Sequence, residues 1–301
     1  MKEYSVHVDA KAMISKLQDE GRELVWERLK KQEPQCGYCS LGLSCRNCAM
    51  GPCRIDPFGE GPQRGVCGAD ADVIVARNLA RAVASGAAAH SDHGRDLVEV
   101  LARVGKVRAY SVKDEGKLRR LAEEYGIDLD GKSTEQIAAE LADAMLEDFG
   151  SKKERIQLIG RAPRRRVEVW EKLGVVSRGI DREIVEVMHR THMGVDNDPV
   201  NILLQCLRTS LGDGFGGSMI ATEVSDILFG TPEPRMSRIN LGVLKEREVN
   251  IILHGHNPVV SDAIVDAASS EEMVRLAKEA GAEGINLAGV CCTGTEVLMR
   301  R

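Results

Sequence analysis

Apolar positions recur at helical spacing through most of this chain, and the exceptions are two stretches where the period is lost or changes. Residues 9–32 interleave apolar and charged side chains, which predicts an amphipathic helix ending near Pro34. From roughly 34 to 70 the period disappears. "GPCRIDPFGEGPQRG" is punctuated by Gly and Pro and offers little apolar material, so this loop needs something besides side-chain packing to order it. Between Asp70 and about Gly230 the pattern is mostly helical. "ADVIVARNLARAVASGAAAH" predicts an Ala-rich helix, charged helices follow around 113–126, 133–148 and 163–194, and "DPVNILLQCLRTSLGDG" predicts a buried helix ending at its glycines. The chain has no internal repeat and no low-complexity segment.

Near residue 240 the period shortens. "REVNIILHGHNP" is a β-branched run ending in a polar turn, helices follow from about Val259 and from Glu271 to Gly281, and "GINLAGVCCTG" is a second apolar strand before "TEVLMRR" starts a helix. This is β-α-β, the unit of a parallel sheet, whose functional residues collect at the carboxyl ends of the strands. The expected architecture is therefore multidomain, α and α/β. Residues 1–238 form a helical domain containing the cysteine-rich loop at 36–67, and 239–301 begin a Rossmann-like α/β domain. Two parallel strands are too few to stand alone, so the sheet is expected to continue beyond Arg301.

Composition removes several function classes. A net charge of -5 gives no electrostatic case for nucleic acid or an anionic membrane, and 3% aromatic residues leave no platform for stacking bases. The opening "MKEYSVHVDAKAMISKL" lacks a signal-peptide core, and no later run has the length of a membrane span, so a cytoplasmic location is expected. There thiols stay reduced, which favours metal over disulfides wherever cysteines crowd together.

They crowd in "CGYCSLGLSCRNCAMGPC". Five of the nine cysteines lie between Cys36 and Cys53, and Cys67 follows. A closed zinc site could use Cys36, Cys39, Cys45 and Cys48, which leaves Cys53 and Cys67 without a role. Alternatively, Cys45, Cys48, Cys53 and Cys67 surround one [4Fe–4S] cube, whose sulfides need the close backbone approach that Gly-Pro turns allow. Structural or redox thiols are the third reading. With a cube at the later four, Cys36 and Cys39 supply half a site, which suggests a symmetric dimer completing it.

"CRNCAMGPCRIDPFGEGPQRGVCGA" resembles the N-terminal cluster loop of the anaerobic nickel–iron carbon monoxide dehydrogenases. The likeness continues in order through "VIVARNLARAVASGAAAHSDH", "THMGVDNDPVNILLQ", "LGDGFGGSMIATEVSDILFGTP", "HGHNP" and "GVCCTG". Family members are roughly twice this length. The resemblance implies a reversible oxidation of CO with water to CO2, two protons and two electrons, with ferredoxin or a similar acceptor and, in some members, an acetyl-CoA synthase as partner. It assigns Cys45, Cys48, Cys53 and Cys67 to cluster B, a [4Fe–4S] relay, and the earlier thiols to cluster D, shared across a homodimer. Many relatives place the second cluster-D cysteine immediately before the first cluster-B ligand. Here that position is Ser44 and the pair is Cys36 and Cys39, a spacing similar to that of members carrying [2Fe–2S] rather than [4Fe–4S] at cluster D.

The two strand ends carry His254, His256, Cys291 and Cys292. Matched to the family, His256 is implied as a ligand of the iron outside the nickel–iron–sulfur cage of cluster C, and Cys292 as a further iron ligand. One neutral imidazole among thiolates leaves that iron more Lewis acidic and able to hold hydroxide near neutral pH. His254 is expected as a hydrogen-bonded core residue or a supporting neighbour, Cys291 has no assigned role, Cys206 reads as a small buried residue and His192 as structural. The family's other cluster-C cysteines and a lysine fall beyond residue 301, so residues 1–301 alone are expected not to oxidise CO. His90 and His93, three apart, share a helix face if helix continues there. The resemblance makes His90 a candidate acid–base group near the nickel and His93 the next member of a proton track, which continues here as Asp96 and Glu99 rather than histidine. The rival readings are a hybrid-cluster (hydroxylamine-reducing) relative, a stand-alone iron–sulfur electron carrier and a zinc-stabilised domain.

Overall fold

The computed structural model describes residues 4–107, 110–150, 153–234, 236, 243–255 and 257–300, with the side chains of residues 291–293 outside that description. Two short helices, α1 (Val8–Asp19) and α2 (Val25–Lys31), stand where the pattern predicts one. Gly21 adopts φ 69° and Arg22 N–H reaches back to the Leu17 carbonyl, which closes α1 before the apolar pattern ends. After α3 (Gly37–Ser40), two short strands, β1 (Ser44–Cys45) and β2 (Cys53–Arg54), pair antiparallel.

The body is built around α4 (Ala71–Leu101), capped by the Asp70 carboxylate on Val73 N–H. This helix runs well past the Ala-rich segment. Its first half packs Val73, Ile74, Ala80 and Ala84 against Ile55, Val187 and Ile202 beside the cysteine loop. Its last turns place Leu97, Val98 and Leu101 in the main core, with Leu118 of α5 (Glu115–Glu124), Leu141, Met145 and Phe149 of α6 (Thr134–Gly150), and Val224 and Ile227.

Where one charged helix is expected over 163–194, α7 (Arg164–Lys172) and α8 (Ile180–Arg190) form instead. Gly174 at φ 65° ends α7, with Val175 N–H bonded to the Trp170 carbonyl. The opposite correction applies to α9 (Pro199–Gly212). The glycines after it do not stop the helix; a π-helical turn, Asp213–Ser218, carries the chain directly into α10 (Met219–Phe229). Those glycines serve a crossing. A Cβ on Gly217 would stand 3.0 Å from the His90 carbonyl carbon, and one on Gly94 would stand 2.8 Å from the Gly217 carbonyl oxygen.

The expected β-α-β unit is present. Strands β3 (Val249–His254) and β4 (Ile285–Val290) pair parallel, with α11 (Pro258–Ala268) and α12 (Glu271–Glu279) between them and α13 (Cys291–Met299) after β4. His254 registers with Val290, so both carboxyl ends lie level. A Cβ on Gly294 would stand 2.5 Å from the Leu253 carbonyl oxygen, so only glycine lets α13 start this close to β3. The expected domain boundary at 238/239 lies outside the described residues. No helix among the described residues is long and apolar enough to cross a membrane.

Candidate metal centre and histidine track

Cys45, Cys48, Cys53 and Cys67 line one small cavity, together with Asn47, Gly51, Gly65, Ala69, Ile74, Arg77 and Met193. The strand pair accounts for two of them: Cys45 registers opposite Cys53. A turn accounts for the third and fourth. Gly51 brings the chain around tightly enough that a Cβ there would stand 3.3 Å from the Cys45 carbonyl oxygen, and Gly65 lies against Cys53 Sγ. The thiols are unpaired, and among the described residues no three His, Cys, Asp or Glu side chains converge as a lone ion requires. A tetrahedral zinc would draw four sulfurs to within about 2.3 Å of one point, whereas a cubane takes each thiolate on a separate iron. Four thiols around one cavity with glycine walls fit an iron–sulfur cluster.

Hydrogen bonds reach the sulfurs. Val66 N–H points to Cys53 Sγ at 3.4 Å, and Arg77 Nη1 donates to Cys67 Sγ at 3.5 Å. Burial pushes the Cys67 thiol up, but the Arg77 guanidinium and the Ala69 N–H outweigh it and hold the thiol below its ordinary value. Arg77 itself is 1% exposed, and its Nη2 bonds the Asp196 carbonyl at 2.6 Å and Asn197 Oδ1 at 2.8 Å. The loop behind those bonds also walls the cavity: Met193 lines it at φ 26°, and a Cβ on Gly194 would stand 3.3 Å from Cys67 Cβ.

Cys36 and Cys39 lie apart from that cavity, exposed at the two ends of the single turn of α3. The Cys39 and Tyr38 N–H groups lower the Cys36 thiol, with help from the Arg54 charge. Ser44 Oγ donates to Cys39 Sγ at 3.2 Å, and Asn78 of α4 holds the Gly42 and Ser44 carbonyls at 3.0 and 3.2 Å. Ser44 thus remains beside the pair it does not join.

Farther along α4, about 20 Å from Arg77 at the helical rise, His90 and His93 do share the continuing helix. His90 Nδ1 lies 2.7 Å from Asp213 Oδ1, both about one-third exposed. Nothing in the sequence pattern singles out Asp213; it reaches His90 because the π-helical turn and the Gly94–Gly217 crossing bring it there. Asp96, next in the row, accepts from Asn257 Nδ2 at 3.3 Å, so the end of β3 meets the same helix face. His256 lies outside the described residues, as do the side chains of Cys291 and Cys292. His254 and His192 are exposed in this chain. Cys206 is buried in α9, and burial raises its thiol.

The Prismane/CO dehydrogenase family model matches residues 43–301. The chain belongs to that family. It is 58% identical over 300 residues to carbon monoxide dehydrogenase 1 of Methanosarcina mazei, covering 99% of this chain and 48% of that protein. It is 45% identical over 294 residues to the carbon monoxide dehydrogenase/acetyl-CoA synthase β subunit of Moorella thermoacetica, covering 96% of this chain and 43% of that one. The crystal structure of a nickel-free carbon monoxide dehydrogenase from Thermococcus sp. AM4 superposes with a TM-score of 0.90 at 56% identity, covering 96% of this chain and 46% of that one. This helix-rich chain with its small sheets therefore shares the fold of solved carbon monoxide dehydrogenases, and it spans about half the length of the curated relatives it matches.

Proposed function

We propose that this chain provides the relay-cluster loop, the helical body and the opening β-α-β unit of an anaerobic nickel–iron carbon monoxide dehydrogenase, an oxidoreductase that interconverts CO and water with CO2, protons and electrons. The observation carrying this reading is the four-cysteine cavity joined by one helix, α4, to the His90–Asp213 pair. Relatives that match almost the whole chain carry the carbon monoxide dehydrogenase name, which favours this reading over a hybrid-cluster enzyme or a stand-alone electron carrier. Residues 239–301 are read as the opening of a Rossmann-like domain.

Cys45, Cys48, Cys53 and Cys67 would hold the [4Fe–4S] relay, called cluster B. Cys36 and Cys39 would hold half of cluster D, [2Fe–2S] or [4Fe–4S], completed by a second copy across a homodimer axis. His256 and Cys292 would contribute to cluster C, which when bound supplies the CO-binding and two-electron chemistry. The remaining work belongs to side chains. Asp213 fixes the orientation of the His90 ring through Nδ1, and His90 would act as the acid–base group for the proton released when water adds to carbon. His93, Asp96 and Glu99 continue along α4 as the exit for protons. Electrons leave toward a ferredoxin-like acceptor, an acetyl-CoA synthase is a further partner suggested by the Moorella relative, and the site is cytoplasmic.

The test is CO-dependent viologen reduction by the holoenzyme. His90→Ala should lower kcat by about 10²–10⁴-fold, the ordinary contribution of a positioned acid–base group, with iron and sulfide content unchanged. Wild-type holoenzyme that binds nickel but does not respond to CO would overturn the reading. A full-rate His90→Ala enzyme would overturn the role of His90.

A further inference from the structure

Arg77 is a buried cation that, among the described residues, meets no carboxylate. Its partners are a thiol, a backbone carbonyl and an amide oxygen, and its Nε has no hydrogen-bond partner. A guanidinium does not shed its proton at ordinary pH, and a buried one without a counter-charge is costly. It lies on the wall of the four-cysteine cavity, so the missing negative charge is to be sought there.

We infer that Arg77 sets the reduction potential of the cluster bound by Cys45, Cys48, Cys53 and Cys67, and that the Asp196–Asn197 turn holds it in place to do so. The inference rests on the cluster assignment proposed above. A cube with four thiolates is an anion already and gains one further negative charge when one electron enters it. A fixed cation beside Cys67 stabilises the reduced form more than the oxidised one, which raises the potential.

The same idea explains "THMGVDNDP", a motif that the acid–base track and the cysteine ligands leave without a purpose. Gly194 lets the loop press on Cys67, and Arg190 pairs with Asp196 at 3.2 Å to brace the turn. Asp196 then presents its carbonyl, and Asn197 its side-chain oxygen, to one arm of the guanidinium, while the other arm faces sulfur. Lysine carries the charge but lacks this planar fork, so it should restore part of the effect.

The test is a dithionite titration of anaerobically produced holoprotein, followed by the electron paramagnetic resonance of the reduced relay cluster. At a fixed solution potential Arg77→Gln should lower the reduced-to-oxidised ratio at least tenfold, about 59 mV downward for one electron. Arg77→Lys should fall between, and Asn197→Ala should shift the same way by less. Asn197 is exposed, so Asn197→Ala is the milder variant should Arg77→Gln arrive without iron; it also gives up the bond from Asn197 Nδ2 to the Cys67 carbonyl. Arg77→Lys and Asn197→Ala both titrating with wild type would overturn the inference, whatever Arg77→Gln does. A wild-type protein without bound sulfide would overturn the cluster assignment and this inference together; a normal wild-type signal with unshifted variants would overturn this inference alone.

Discussion

The helical body and the cysteine loop are ordered by opposite means. In the body Leu118, Leu141, Met145, Val224 and Ile227 have no exposed surface, and each such side chain contributes about 1.5–3 kcal/mol by leaving water. Across residues 34–69 the buried hydrophobic positions are Cys45, Ile55 and Ala69, joined by a strand pair two residues long. Apolar packing therefore dominates in the body, alongside buried ion pairs such as Lys117–Asp226 and Arg178–Glu183, whereas the loop has little of it and leans on its hydrogen bonds to α4. The lesson is a division of labour: apolar burial builds the rod, and the loop attached to its first half gathers the thiols with little burial of its own.

The largest effect that would break this comparison comes from the thiols. Cys53→Ser should abolish iron binding at the relay site and let amides from 44 to 69 exchange hydrogen freely, while far-UV circular dichroism stays unchanged. Loss of helix in the same variant would show that the loop helps to hold the body. Next comes the core. Leu141→Ala should cost about 2–5 kcal/mol in chemical denaturation, with cluster absorbance intact below the transition. Bleaching of the cluster before the helices melt would contradict the separation.

The smallest effect sharpens it through pH. Burial raises the Glu186 carboxyl, but Arg190 and Arg178 outweigh burial and set it below its ordinary value of 4.5. A depressed carboxyl contributes stability that is fully present above 4.5 and lost as pH falls through the lower folded value. Melting temperature measured from pH 7 downward should thus fall less steeply below 4.5 in Glu186→Gln than in wild type. Equal slopes would remove Glu186 from the acid response. The exchange of loop amides should register this substitution only weakly, through Arg190 and the Asp196 turn behind Arg77.

Much of the site was legible because its chemistry is local. Cysteine spacing allowed a zinc site at Cys36, Cys39, Cys45 and Cys48 or a cube at Cys45, Cys48, Cys53 and Cys67, the family resemblance pointed to the latter, and the shortened period after 240 marked two parallel strands. Helix ends were less legible. Gly21 and Gly174 each close a helix inside an unbroken apolar pattern, because a positive φ stops the helix whatever the following side chains favour. The glycines after Asp213 mislead in the other direction: they look like a terminator and are instead the flat surface that α4 needs to pass.

The residues that the sequence concealed act across the fold. Arg77 meets Asn197 across 120 residues, His90 meets Asp213 across 123, and Asp96 meets Asn257 across 161. By itself the sequence determined where the cysteines crowd, that the body is helical and that a parallel unit follows, since these depend on spacing and near neighbours. Only the tertiary structure decided which charge sits behind the cysteines and which carboxylate orients the histidine. Those partners are selected by helix crossings, and a crossing is set by the shapes of distant surfaces rather than by any period along the chain.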